Sequence, residues 1–162
     1  MKELIIFLPV TILYLTLKST LFSSLPVPDL PLLIVFYMAY GKPSIHGVAL
    51  AFLLGYIDDT FSGGIIGSTS FSLIVIYGAT RLSAGRVQFS TPFIRAGGAG
   101  IAAFMKGVVM YAILRLTGLN AHFTSGVFLE AVITGVFAPA MITIFTRLTA
   151  LASRGAFKDN VN

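Results

Sequence analysis

The sequence has no cysteine and little charge, and each shortage narrows the kinds of protein it can encode. Without cysteine, the chain can form neither disulfide bonds nor thiolate metal sites. Only 10% of the 162 residues are charged, whereas a soluble domain carries about 25%. Hydrophobic residues make up 56% of the chain, and the mean hydropathy is +0.92. Because these residues come in long runs, we expect most of the chain to lie in a lipid bilayer.

The sequence also lacks the short motifs that organise common catalytic sites. It contains no Gly-x-Ser-x-Gly elbow, no phosphate-binding glycine loop followed by Lys-Ser or Lys-Thr, and no His-Glu-x-x-His pair. The two histidines, His46 and His122, stand at the ends of predicted helices and do not combine with a third metal ligand. We therefore expect no catalytic residue, no cofactor and no metal site, which predicts a protein that is not an enzyme.

Six apolar runs predict the fold class. They lack the alternation of a barrel strand, and only helices and closed barrels satisfy backbone hydrogen bonds in lipid, so they are predicted to be helices. The second run is short, so it forms either a thin or tilted membrane span or a re-entrant segment. The expected fold is all-α, a polytopic membrane bundle over residues 1–150 with a short cytoplasmic tail over 151–162. The runs are Leu4–Phe22, Leu30–Tyr40, Ile45–Ile57, Ile65–Leu82, Phe93–Leu116 and Val127–Leu148.

The distribution of lysine and arginine predicts the orientation, because cytoplasmic loops are enriched in both. These residues are scattered at helix ends, which disfavours nucleic-acid binding. The connector Arg81–Arg95 and the C-terminus are predicted to be cytoplasmic; the connector is a topology signal or contacts anionic lipid or a cytoplasmic partner. The charges do not decide on which side of the membrane the N-terminus lies, because an N-outside arrangement only moves Lys2 to the outer side and Lys18 to the cytoplasmic side. With the N-terminus inside, the cytoplasmic basic residues are Lys2, Lys42, Arg81, Arg86, Arg95, Arg147, Arg154 and Lys158, and the outer ones are Lys18 and Arg115.

Three of the predicted spans align an ionisable residue with small residues at intervals of four, which share one helix face. Small residues let membrane helices pack closely, so each ionisable residue is predicted to face another helix. The aligned sets are Gly47, Ala51, Gly55 and Asp59 in the third span, Gly98, Ala102 and Lys106 in the fifth, and Gly126, Glu130 and Thr134 in the sixth.

Lys106 lies near the middle of its span, where a lysine costs about 2.5–3.5 kcal/mol. It either extends to the outer headgroups, pairs with a carboxylate, or belongs to a substrate or proton site. Its candidate partners are Glu130, Asp58 and Asp59, although Glu130 can instead face the positive N-terminus of its own helix and the aspartates can serve in a turn. Asp59 is predicted to be a structural and partner-docking residue, with Asp58 nearer to water. Asp29, after two prolines, is predicted to cap the second helix.

Two stretches carry a resemblance to a known family. Pro28-Asp29-Leu30 resembles the Pro-Asp-Leu entry to the second span of the MreD family, and Gly55-x-x-x-Asp59-x-x-Ser62-Gly63-Gly64-x-x-Gly67 resembles its Gly-x-x-x-Asp…Ser-Gly-Gly-x-x-Gly stretch. Length and span number also match, so the resemblance covers nearly the whole chain. Asp58 and Lys106 have no place in the family pattern.

The resemblance implies a six-span protein of the bacterial inner membrane whose fold is similar to the substrate-binding subunits of energy-coupling-factor (ECF) vitamin transporters. It also implies a non-enzymatic role in peptidoglycan synthesis and cell shape, together with MreC, the actin-like MreB, RodA and a transpeptidase. The alternative is a substrate-binding subunit of such a transporter. Its polar pocket would be formed by Asp58, Asp59, Lys106 and Glu130.

Overall fold

The structure, a computed structural model, describes residues 2–21, 27–41, 45–63, 65–86, 91–118 and 126–158. Within these ranges it contains six helices and no strand, which confirms the all-α prediction. Gly64 of the predicted glycine turn and His122 lie outside the described residues. The helices are α1 (Lys2–Leu21), α2 (Leu30–Gly41), α3 (Ile45–Ser62), α4 (Ser68–Ala84), α5 (Pro92–Leu116) and α6 (Gly126–Lys158).

Two helices extend further than the apolar runs that predict them. Helix α3 continues past Ile57, through both aspartates, to Ser62, because the two carboxylates find partners on neighbouring helices. Helix α6 continues past Leu148 to Lys158, since residues 140–154 contain no glycine or proline that would end it. Residues 151–158 of the predicted tail are therefore helical.

Helix α2 is the centre of the bundle and contacts each of the other five helices. Nine of its twelve residues are buried, so its almost uniformly apolar sequence serves as the core around which the other helices pack. Twelve residues give a helix about 18 Å long, against about 30 Å for the hydrocarbon core of a bilayer. Helix α2 is therefore too short to cross such a core by itself.

An aromatic cluster joins α2 to the first and last helices. The ring of Phe7 on α1 contacts Phe145 on α6 edge to face, with 5.4 Å between the ring centroids. Tyr37 on α2 packs against both rings, at 6.2 Å from Phe7 and 5.9 Å from Phe145. Such pairs add about 0.5–1.5 kcal/mol to the effect of burial. The cluster therefore joins the first two helices of the chain to the last one.

The outer surface of the bundle is apolar. Each helix except α2 exposes large hydrophobic side chains to its surroundings, which soluble proteins avoid over such an area. Helix α5 and residues Gly126–Ala150 of α6 are both long and apolar enough to cross a membrane. This surface is typical of a protein surrounded by lipid. Representative exposed residues are Leu13, Phe52, Phe71, Phe93 and Val136.

Helices α3 and α4 pack at very short range through the small residues of α3. A Cβ atom added at Gly47 would lie 2.6 Å from the ring of Tyr77, and one at Gly55 would lie 2.8 Å from the carbonyl carbon of Thr69. Ala51, between them on the same face, is fully buried. At Gly55 the obstacle is backbone, which cannot rotate away as a side chain can.

We expect the substitution Gly55→Ala to destabilise the protein by roughly 1–3 kcal/mol, because the new methyl group must push α3 and α4 apart. Gly78→Ala is the matched control, since it also lies inside a helix but has no atom within 4 Å of the added Cβ. Thermal unfolding of the detergent-solubilised variants measures the difference. Equal melting temperatures for Gly55→Ala and the parent would contradict the close packing.

Candidate functional site

Three charged side chains meet inside the bundle. The ammonium group of Lys106 on α5 forms an ion pair with the carboxylate of Asp29, just before α2, and lies 3.6 Å from Oδ2 of Asp58 on α3. The exposed fractions of the side chains are only 1% for Asp29, 6% for Asp58 and 13% for Lys106. Charges within a membrane bundle are costly unless they pair with one another, and here the lysine is shared by two carboxylates. We call Asp29, Asp58 and Lys106 the ion-pair cluster.

Asp29 also holds the first turn of α2. Its Oδ1 accepts a hydrogen bond from the amide of Leu32, and its own amide donates to the hydroxyl of Thr134 on α6, both at 3.1 Å. The hydroxyl of Tyr14 on α1 donates to the carbonyl of Pro28. The first helical amides need such partners because no earlier turn supplies them. The predicted cap is therefore present, and the same carboxylate also pairs with Lys106.

The cluster lies beside the middle of the long helices. Lys106 is about 21 Å along α5 from Pro92 and about 15 Å from Leu116. Pro28 contacts Tyr14, which precedes the end of α1 at Leu21 by about 10 Å. The chain has therefore turned back into the bundle before α2 begins. This return places the N-terminus of α2, and Asp29 with it, within reach of Lys106.

The pairing differs from the prediction in two ways. Of the three candidate partners of Lys106, only Asp58 lies within ion-pair distance of it, and Asp29 was predicted only as a helix cap. Asp58 is also not nearer to water than Asp59, since both are almost fully buried. Glu130 is half-buried, and no ion pair joins it to Lys106 within the described ranges. The signal that could have identified Asp29 is its position directly before the most apolar, least exposed helix.

Asp59 lies next to Asp58 but faces a different helix. Its carboxylate accepts hydrogen bonds from the amides of Gly67 at 2.7 Å and Thr69 at 3.1 Å, and from the hydroxyl of Ser68 at 3.3 Å. These groups form the N-terminus of α4, where a negative charge is favourable. Gly63 and Gly67, with φ of 66° and 96°, allow the chain to turn there. Asp59 therefore ties the end of α3 to the start of α4, while its role in docking a partner stays a prediction.

One carboxylate oxygen of the ion-pair cluster is incompletely satisfied. Oδ1 of Asp58 is buried and has no hydrogen-bond partner among the described residues. A buried acceptor without a partner costs about 1–3 kcal/mol, so the charge of Lys106 has to offset this cost for Asp58. The cluster can thus stabilise the arrangement of α2, α3 and α5. It contains no pairing of a nucleophile with a general base.

Two apolar grooves lie along α5 and share Gly97 and Ile101 in their walls. One lies between α4 and α5, has a volume of about 370 Å³, and includes Gly98 and the largely buried Ala102 in its wall. We call it the α4/α5 groove. The other lies between α5 and α6, has a volume of about 530 Å³, and is lined by Gly100, Gly135 and Val136 among others. We call it the α5/α6 groove.

We expect Lys106→Met to destabilise the protein by roughly 1–3 kcal/mol, because two buried carboxylates lose their counter-charge. Adding Asp29→Asn should restore part of this loss, since asparagine removes the charge and still caps the helix. Arg115→Met, at the exposed end of the same helix, is the control and should have little effect. Thermal unfolding in detergent tests all three. A double variant less stable than Lys106→Met alone would contradict the pairing of Lys106 with Asp29.

For Asp59 we expect the alanine variant to lose roughly 1–3 kcal/mol, because the amides of Gly67 and Thr69 would be left without an acceptor. Hydrogen exchange at the first turn of α4 should become faster. Thr60→Ala is the matched control, since that exposed hydroxyl bonds only to the carbonyl of Tyr56 in its own helix. Unchanged exchange at α4 in Asp59→Ala would show that the carboxylate does not hold the turn.

The family comparison covers the helices that carry both sites. Residues 2–149, more than nine tenths of the 162-residue chain, match the family model of MreD, described as rod shape-determining protein MreD. No curated protein and no solved structure matches the chain. The matched range includes the ion-pair cluster, the turn held by Asp59 and both grooves beside α5. The resemblance noted in the sequence is confirmed, and the chain belongs to the MreD family of rod shape-determining membrane proteins.

Proposed function

We propose that this protein is a non-enzymatic scaffold in the bacterial inner membrane that binds MreC and other components of the wall-elongation complex. Membership of a rod shape-determining family, over residues 2–149, is the observation that carries the proposal. In this role the protein would bring MreC together with RodA, a transpeptidase and MreB during peptidoglycan synthesis. A scaffold needs a rigid shape and surfaces for partner helices, and the described residues provide support for both.

The polar contacts support a rigid shape. The ion-pair cluster links α2, α3 and α5, and Asp59 links α3 to α4. Each of these carboxylates contacts a cation or backbone amides of the chain itself, which favours a structural use of the charges. Buried ionic groups that are well paired can specify one arrangement of helices, even where they add little to stability.

The proposed topology has six membrane helices, with the N-terminus and the C-terminus both in the cytoplasm. In this topology α2 lies within the bundle and reaches only part of the way across the membrane, since it is about 18 Å long. The basic ends of α4 and α5, at Arg81 and Arg95, lie on the cytoplasmic side. We extend the proposal to a fold of the ECF substrate-binding kind, with a single domain over residues 1–150.

We place the MreC-binding surface at the α5/α6 groove. The groove runs from Ala96 to Phe104, about 12 Å along α5, so its volume of about 530 Å³ corresponds to a channel about 7 Å across. A helix with side chains is about 10–12 Å in diameter, so a channel of this width admits the side-chain ridge of a partner helix. Glycines 97, 100 and 135 in its wall allow close approach. Val132 and Val136 on its rim are exposed.

We expect Val132→Trp and Val136→Trp to lower co-purification of MreC about tenfold or more, because a clash inside an interface costs on the order of 1.4 kcal/mol or more. Leu13→Trp is the matched control, since Leu13 is a similarly exposed apolar residue on α1. The measurement is recovery of MreC with the tagged full chain from detergent extract, normalised to the amount of folded bait.

The outcomes distinguish the surface from the function. Loss of MreC with Leu13→Trp as well would mean that bulk anywhere on the bundle disturbs binding, and the assignment to the α5/α6 groove would be wrong. Failure of the parent protein to recover MreC or any wall synthase would contradict the scaffold role itself. Binding of thiamine, riboflavin or biotin by that same preparation would favour the transport alternative.

A further inference from the structure

The α4/α5 groove reaches from the end of the bundle that carries the basic connector to the core. One helical face of α4, including Ile76, Ala79 and Ser83, forms one wall. One face of α5, from Ile94 to Met105, forms the other. Phe36 of α2, itself almost fully buried, closes the inner side. Nearly all of this lining is apolar, and its few hydroxyl groups, such as that of Ser83, lie near the end of α4.

The dimensions of this groove fit a single hydrocarbon chain. The groove follows α5 from Ile94 to Met105, about 16 Å, and a volume of about 370 Å³ over this length leaves room for a narrow ligand. Carbon atoms in contact lie about 3.5–4.0 Å apart, so one extended alkyl chain fills such a channel. A helix, about 10–12 Å in diameter, does not fit into it. The α4/α5 groove is thus narrower than the α5/α6 groove although it is longer.

Positive charge lies at the mouth of the groove. Arg86 follows the wall residue Ser83 by three positions, and its amide donates to the carbonyl of Ser83 at 2.9 Å. Arg81 lies at the same end of α4 but on its α3 side, four residues after Tyr77, which packs against Gly47 of α3. Both arginine side chains are exposed. Arginine binds phosphate groups well, because its planar guanidinium donates two parallel hydrogen bonds.

We propose that the α4/α5 groove binds an anionic phospholipid, with one acyl chain between α4 and α5 and the headgroup phosphate at Arg86. An apolar groove that ends at an exposed arginine matches the two chemical parts of such a lipid. The inner leaflet, on which positive charge concentrates, is also the leaflet rich in anionic lipid. The bound acyl chain would fill the gap between α4 and α5, where Phe36 of α2 forms the floor of the groove. This site adjoins the proposed MreC surface, because Gly97 and Ile101 line both grooves.

The test is native mass spectrometry of the detergent-solubilised full chain, titrated with phosphatidylglycerol or with phosphatidylcholine of the same acyl chains. We expect tighter retention of phosphatidylglycerol, weakened about fivefold by Arg86→Gln. Ala79→Phe, which fills the channel, should weaken retention of both lipids about tenfold or more, as excluding two or three methylenes would. The controls are Arg115→Gln at the other end of α5 and Val132→Phe on α6, which should leave retention unchanged.

Several results would overturn this proposal. Equal retention of the two lipids by the parent, or unchanged retention in Ala79→Phe with a parental melting temperature, would show that the groove is not the lipid site. Displacement of the lipid by glycerol phosphate alone would assign the binding to the headgroup without the channel. Loss of MreC recovery in Ala79→Phe, with lipid retention intact, would identify the occupant as a protein helix. If Ala79→Phe does not fold, the Arg86→Gln variant decides the outcome.

Discussion

The ion pair between Lys106 and Asp29 is the interaction on which the placement of α2 depends. A helix that begins inside an apolar bundle has amides with no earlier turn to bind and no water to satisfy them. Asp29 meets this need locally through the amide of Leu32, and its negative charge is balanced by Lys106. Thr134 and Tyr14 complete the polar contacts around the first turn. The other residues of α2 can then be almost entirely apolar, and nine of its twelve residues are buried in the core.

The two adjacent aspartates of α3 show how one short stretch serves two different interfaces. Consecutive helical residues point about 100° apart, so Asp58 and Asp59 face different neighbours. Asp58 faces Lys106 on α5, whereas Asp59 faces the amides at the start of α4. The close approach of α3 and α4 at Gly55 brings those amides within reach of Asp59. Helix α3 is thereby held on both sides by charge, although most of its surface is apolar.

Helix α5 combines these internal contacts with the surfaces proposed for binding. Its inner face carries Lys106, and two of its other faces line grooves of different width. The width of the α5/α6 groove follows from its residues. Gly100 and Gly135 let α5 and α6 approach closely at the floor of the groove, while the sides of the groove remain open. Between α4 and α5, the small residues Ala79 and Gly98 line a narrower groove. A membrane protein without catalytic motifs can in this way present chemically distinct sites on one helix.

The sequence alone determined the helical class, the positions of the six helices and the family, because apolar runs and short motifs are local properties. It also identified Lys106 as a charge that needs a partner and placed Asp59 on the packed face of α3. Only the tertiary structure decided which carboxylate meets Lys106, since Asp29 lies 77 positions away and reaches it through the return of the chain before α2. The burial of Asp58 likewise depends on the helices that pack around α3, which are α1, α2 and α4. Pairing across a bundle follows from how helices pack in three dimensions, and the periodicity of a single helix carries no information about its neighbour.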